Sequence, residues 1–143
     1  MAISKTLYST TVTVTGGRDG QAVSADGNLN VKLGMPKELG GSGEKAANPE
    51  QLFGAGFAAC FLSAMKLVAN KKKIAISSDP SITAEVGIGP QGEGLGLAVT
   101  LHVKLPGMDE KAAHALVELA HKTCPYSNAT RGNIDVTLDV STK

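Results

Sequence analysis

The chain predicts an α+β fold in a single domain, residues 1–143, and three observations carry that reading. Two runs alternate apolar and polar residues, one with Ile82, Ala84, Val86 and Ile88, the other with Leu95, Leu97, Val99, Leu101, Val103 and Leu105. Period-two alternation is the pattern of half-buried antiparallel strands. Residues 52–65 carry no charge and follow the helix start Asn48-Pro49-Glu50. No internal repeat or second domain appears along the chain.

Taken in order, Lys5 to Thr15 is rich in Thr and Val and reads as a strand. Gly16-Gly17-Arg18-Asp19-Gly20 forces a turn. A second run to Ala25 meets Asp26-Gly27, a type I′ hairpin signal, and the chain returns through Leu29, Val31 and Leu33. Residues 34–47 are loop-like, with Pro36 and Gly40-Gly41-Ser42-Gly43. The long helix then runs from Pro49 to about Ala69, and Lys71-Lys72-Lys73 suits its negative end as a solvated cap. Two antiparallel strands follow, and Asp109-Glu110 opens a second helix reaching Thr123. Cys124-Pro125 ends or bends that helix. A last strand spans Ile134 to Val140.

Composition narrows the function. Hydrophobic residues are 42% and charged residues 19%, which excludes wholesale disorder. Fourteen basic against 13 acidic side chains give a net charge of +1, no footprint for nucleic acid or an anionic membrane. The uncharged stretch ends at Lys66, too short for a membrane span of about 20 residues. Two cysteines are too few for a secreted disulfide scaffold, and the N-terminus lacks a signal-peptide profile. The expected compartment is the cytoplasm, where two thiols invite redox or nucleophilic chemistry.

The long helix is apolar or small on every side over 52–65, including Gly54, Ala55, Gly56, Ala58, Ala59, Ser63 and Ala64. A domain of this size struggles to surround such a helix alone, which favours an obligate dimer over a monomer covered by its own sheet. Cys60 lies in this stretch. A buried cysteine is usually inert, and to act as a nucleophile it needs a fixed positive charge. The two arginines, Arg18 and Arg131, are the candidates, since arginine stays protonated when desolvated. Phe53, Phe57 and Phe61 recur every four residues beside Cys60. Core packing is the preferred explanation of that stripe; a greasy channel to the sulfur is the alternative. Cys124 stands at a helix C-terminus, poorly suited to attack first but suited to resolve a sulfenic acid on another thiol. His114, Glu118 and His121 share one helix face and read as a polar rim; no metal set is evident. His102 carries no signal.

Two separated motifs bring a resemblance. Asn48-Pro49-Glu50-Gln51-Leu52-Phe53 continuing to Gly56-Phe57-Ala58-Ala59-Cys60-Phe61, and Cys124-Pro125-Tyr126-Ser127 followed by Arg131-Gly132-Asn133, resemble the Ohr/OsmC family in its organic hydroperoxide resistance branch. The order of strands and helices fits over essentially the full chain. Thr123 stands where the family often has Val, and Phe57 where Tyr is common.

The resemblance implies an intertwined OsmC-like homodimer, with two antiparallel sheets around central buried helices. It implies a thiol-dependent peroxidase reducing organic hydroperoxides to alcohols. Cys60 is then the peroxidatic thiol and Cys124 the resolving one, with Arg18 and Glu50 as the activating pair. The Cys60–Cys124 disulfide would be reduced by a dihydrolipoyl group on a lipoylated protein, with no bound cofactor or metal. Phe53, Phe57 and Phe61 would wall the substrate. Glu50 and Cys60 lie ten positions apart on one helix, about 15 Å of rise, so Glu50 and Arg18 are expected to serve the Cys60 of the other subunit. The alternatives are a peroxidase of the OsmC branch and a non-catalytic binder of apolar ligands.

Overall fold

The computed structural model describes residues 2–143. They form two compact units, one reaching Pro49 and the other Glu50–Lys143.

The first unit is an antiparallel meander of β1 (Val12–Thr15), β2 (Gln21–Ser24) and β3 (Asn30–Lys32). A strand expected over 5–15 pairs only from Val12, because β2 offers register partners only to Val12–Thr15. Between β1 and β2 the chain makes a 3-10 turn, Gly17–Asp19. The turn requires its glycines. Gly16 is left-handed at φ 73, and a Cβ on Gly20 would lie 1.5 Å from the Thr15 carbonyl oxygen. The β2–β3 connection is not the type I′ turn that Asp26-Gly27 suggested. It is a four-residue loop closed by the Ser24 N–H on the Leu29 carbonyl at 2.8 Å, and only Gly27 has positive φ. Asp26 instead accepts from the Asn28 N–H and the Ser24 hydroxyl, an Asx-type turn that replaces the I′ geometry.

Residues 34–47 form a loop whose ends are pinned. The Gly34 N–H donates to Ala47 at 2.8 Å and the Ala47 N–H to Lys32 at 3.0 Å. The loop is also tied to the Gly17–Asp19 turn, since the Met35 N–H donates to the Asp19 carboxylate at 3.1 Å.

In the second unit, α1 (Pro49–Lys72) runs three residues past the expected end at Ala69. Lys73 then adopts φ 56 and the Ile74 N–H bonds back to the Ala69 carbonyl at 2.8 Å, a left-handed C-terminal stop. β4 (Ser81–Gln91) and β5 (Gly94–Lys104) pair antiparallel along their full length. α2 (Glu110–Thr123) starts at Asp109, whose carboxylate accepts the Ala112 N–H at 3.0 Å. The short α3 (Pro125–Thr130), which sequence reasoning missed, follows at once. β6 (Val136–Ser141) completes the sheet on the far side of β5.

β6 runs parallel to β5, which corrects the expectation of two purely antiparallel sheets. The connection through α2 and α3 returns the chain to the end where β5 began, and such a crossover yields a parallel neighbour. β5 is therefore central. Val99, Leu101 and Val103 pack with Phe57, Phe61 and Met65 of α1 and with Ala113, Leu116, Val117 and Ala120 of α2. α1 is long and apolar enough to cross a membrane by length and composition alone, yet its Phe57, Phe61 and Met65 are fully buried in this core. Its other side, with Ala55, Ala59, Ser63 and Leu67, is left open by the single chain.

Candidate active site

Cys60 sits midway along α1, half-buried at the edge of the core, while Cys124 is fully buried. The backbone of Cys124 is shared between two helices. Its N–H closes α2 on the Ala120 carbonyl at 2.8 Å, and its carbonyl accepts the Asn128 N–H of α3 at 3.0 Å. Pro125 pushes Cys124 out of the helical region, to φ −65 and ψ 124, and so bends the chain at this residue. Because Pro125 has no N–H, the first free amide of α3 is that of Tyr126.

The corner brings two groups to the Cys60 sulfur. The Cys124 thiol lies close beside it, and the Tyr126 N–H is near enough to favour its anion. Three influences act on Cys60 ionisation here. Burial pushes the thiol above its ordinary value, the neighbouring Cys124 pushes it further the same way, and the Tyr126 N–H pulls it back. The net direction is upward. A thiolate at this sulfur needs a compensating positive charge.

Beside the sulfur lies an aromatic group. Phe53 meets Phe57 edge-on at 6.0 Å, and the Tyr126 ring tilts over both at 6.3 and 5.9 Å. Phe57 and Phe61 are fully buried and act as core, whereas Phe53 and Tyr126 reach solvent. Tyr126 was not singled out by its own chemistry in the sequence. Its position directly after Cys124-Pro125 was the available signal.

Arg18 is carried by the Gly17–Asp19 turn of the first unit, and Glu50 by the first turn of α1, ten residues before Cys60. Arg131, weighed as a thiolate partner, is engaged elsewhere. Its guanidinium donates to the Asn128 side-chain oxygen at 2.7 Å and to the His121 carbonyl. The His121 ring packs against Phe61 at 6.4 Å and its buried Nδ1 has no hydrogen-bond partner. Burial lowers the His121 pKa, the Arg131 guanidinium lowers it further, and Glu118 opposes both. His114 and Glu118 are exposed on α2, and among the described residues no group of three His, Cys, Asp or Glu side chains could hold a metal ion. His102, read in the sequence as carrying no signal, pairs with Asp139 on the neighbouring strand at 2.8 Å.

The sequence model of the OsmC-like protein family matches residues 41–139, a span that holds both cysteines. The chain belongs to the OsmC-like family. Within it, the resemblance is to organic hydroperoxide resistance proteins. The protein of that name from Xanthomonas axonopodis pv. citri is 53% identical over 137 residues, covering 96% of each chain. A crystal structure of an organic hydroperoxide resistance protein OsmC from Legionella pneumophila superposes with a TM-score of 0.91 at 50% identity, covering 96% of this chain and 100% of that one. Organic hydroperoxide resistance protein OhrB of Bacillus subtilis gives 0.87 at 41% identity, covering 95% and 100%. The OsmC-like fold, mixed helices with two three-stranded sheets, is therefore that of this chain.

Proposed function

We propose that this OsmC-like protein is a thiol-dependent peroxidase that reduces organic hydroperoxides to alcohols. The observation that carries the reading is the meeting of the Cys60 and Cys124 thiols at the α2–α3 corner. The names of the relatives, organic hydroperoxide resistance proteins, support the substrate class.

In this mechanism the Cys60 thiolate attacks the distal peroxide oxygen. An S–O bond forms, the O–O bond breaks, and the departing alkoxide takes up a proton to leave as the alcohol. Cys124 then attacks the sulfenic sulfur, forming the disulfide and releasing water. A dithiol of the dihydrolipoyl class, carried on a lipoylated protein, reduces the disulfide and is itself oxidised to a cyclic disulfide. The buried resolving thiol next door protects Cys60 from sulfinic oxidation. Phe53 and Tyr126, backed by Phe57, supply apolar surface for the organic part of the substrate. Each methylene buried there contributes about 0.8 kcal/mol, which hydrogen peroxide cannot gain.

Arg18 supplies the positive charge that the surroundings of Cys60 require, and its fork donates to the peroxide oxygens. Glu50 orients that guanidinium. Since about 15 Å of helix rise separates Glu50 from Cys60 of the same chain, the pair serves the sulfur of a second subunit in a cytoplasmic intertwined homodimer. The open side of α1 supports such a partner. The test is steady-state reduction of an alkyl hydroperoxide with dihydrolipoamide, a monothiol or thioredoxin as reductant. Turnover with dihydrolipoamide well above the other two is expected. Equal rates with all three would remove the dithiol step, and no consumption of peroxide would remove the enzyme.

A further inference from the structure

We propose that Arg131 is a positioning residue for disulfide closure: its guanidinium clasps the two helices that meet at Cys124 and so holds that thiol against Cys60. The inference rests on the assignment of Cys124 as the resolving thiol in the proposed function.

The backbone bonds at the corner each serve one helix. The Cys124 N–H belongs to α2 through Ala120, and the Asn128 N–H belongs to α3 through the Cys124 carbonyl. Arg131 spans both. One of its terminal nitrogens holds the Asn128 side chain of α3 at 2.7 Å, and the other holds the carbonyl of His121 in the last turn of α2. These anchors lie three residues before Cys124 and four after it. The arginine is itself fixed at the end of α3, where its own N–H bonds the Ser127 carbonyl at 2.9 Å. Gly132, at φ 77, then turns the chain away.

The residue type fits the task. A planar guanidinium donates from two nitrogens at a fixed angle, so it ties two acceptors without reorganising, whereas an ammonium acts as a point donor. The His121 carbonyl is also among the last of α2, where a cation is favoured. The guanidinium acts through the corner and on no reacting atom. Closure needs the Cys124 sulfur in line with the bond that breaks at Cys60, and an error of about 1 Å in such a geometry costs up to 10²-fold.

Closure is tested apart from peroxide chemistry with diamide. The Cys60 thiolate adds to its N=N bond, a proton going to the second nitrogen. Cys124 then displaces the adduct, forming S–S and breaking S–N, and the hydrazine leaves. Rapid-quench mass spectrometry of Arg131→Ala should show the first addition within about twofold of wild type and closure slower by roughly tenfold. Asn128→Ala, which removes one arm, and Arg131→Lys should fall between. Added guanidinium ion at millimolar concentration should restore part of the rate in Arg131→Ala only. With an alkyl hydroperoxide, the sulfinic fraction of Cys60 should rise as closure slows. Wild-type closure rates in both Arg131→Ala and Asn128→Ala would overturn the proposal. If closure by diamide slows in the variants while wild type never consumes hydroperoxide, the peroxidase reading falls and the role of Arg131 stands.

Discussion

Tyr126 lies against the notch left by Gly56: a Cβ built on that glycine would stand 3.0 Å from the tyrosine hydroxyl and 3.1 Å from the ring edge. The notch lets the Tyr126 ring lie on α1 over Phe53 and Phe57 while its own N–H reaches the Cys60 sulfur. Seating the ring and aiming the amide are one packing event. Gly56→Leu should push the partly exposed ring outward and pull the amide off the sulfur. The expected cost is about tenfold in the rate constant for Cys60 oxidation, the worth of one hydrogen bond to a charged group. Stopped-flow peroxide consumption with the reductant omitted measures it, and an unchanged rate would remove Tyr126 from the activation of Cys60.

The two cysteines should separate by step. Cys60→Ser abolishes peroxide turnover. Cys124→Ser still consumes a first equivalent of peroxide per chain to give the sulfenic acid, stalls with a dithiol reductant, and accumulates sulfinic acid on Cys60 as a second equivalent is consumed. Mass spectrometry of the product distinguishes these, and loss of the first oxidation in Cys124→Ser alone would reverse the assignment.

Ionisation of Cys60 gives a prediction with a definite sign. Burial and the adjacent Cys124 both hold the proton on the sulfur. Cys124→Ser should therefore lower the apparent pKa of Cys60, and Arg18→Ala should raise it by removing the cation assigned to the thiolate. The rate of iodoacetamide alkylation against pH, resolved by peptide mass, reads both. In a single chain, without the cation assigned to the thiolate, the raised pKa favours the protonated state, so this contribution to stability is full below the ordinary value of 9.0. It is lost as pH climbs through the raised value.

The open side of α1 predicts an assembly. Ala59 is exposed on a single chain one residue from Cys60, and Ala59→Arg would place a charge where the proposed second subunit packs. Sedimentation velocity should show dimeric wild type and monomeric variant, with peroxidase activity lost in the monomer. Monomeric wild type would leave Glu50 and Arg18 without the partner sulfur proposed for them.

Much of this architecture was legible in the chain itself. The alternation of Leu95 to Leu105 gave β5, and Asp109-Glu110 gave the start of α2, because both signals are local. The direction of β6 was not legible, since its alternation is the same beside a parallel or an antiparallel neighbour; only the route through α2 and α3 decides it. α3 was missed because Pro125–Thr130 is short and rich in residues of modest helix propensity. Both cysteines could be read as candidates from their settings and their motifs. The Tyr126 amide and the Arg131 clasp could not be, because a backbone N–H has no residue type to read and the clasp depends on how sharply the chain turns at Cys124.

The parallel placement of β6 has a consequence during synthesis. Val136 of β6 pairs with Val99 of β5, and the strand that makes this pairing is translated only after α2 and α3. Until those residues leave the ribosome, β5 carries a bare flank of unpaired amides and carbonyls, the template on which nascent chains stick to one another. A stop codon ahead of Val136 would leave that flank bare for good, and the truncated product would be expected in inclusion bodies.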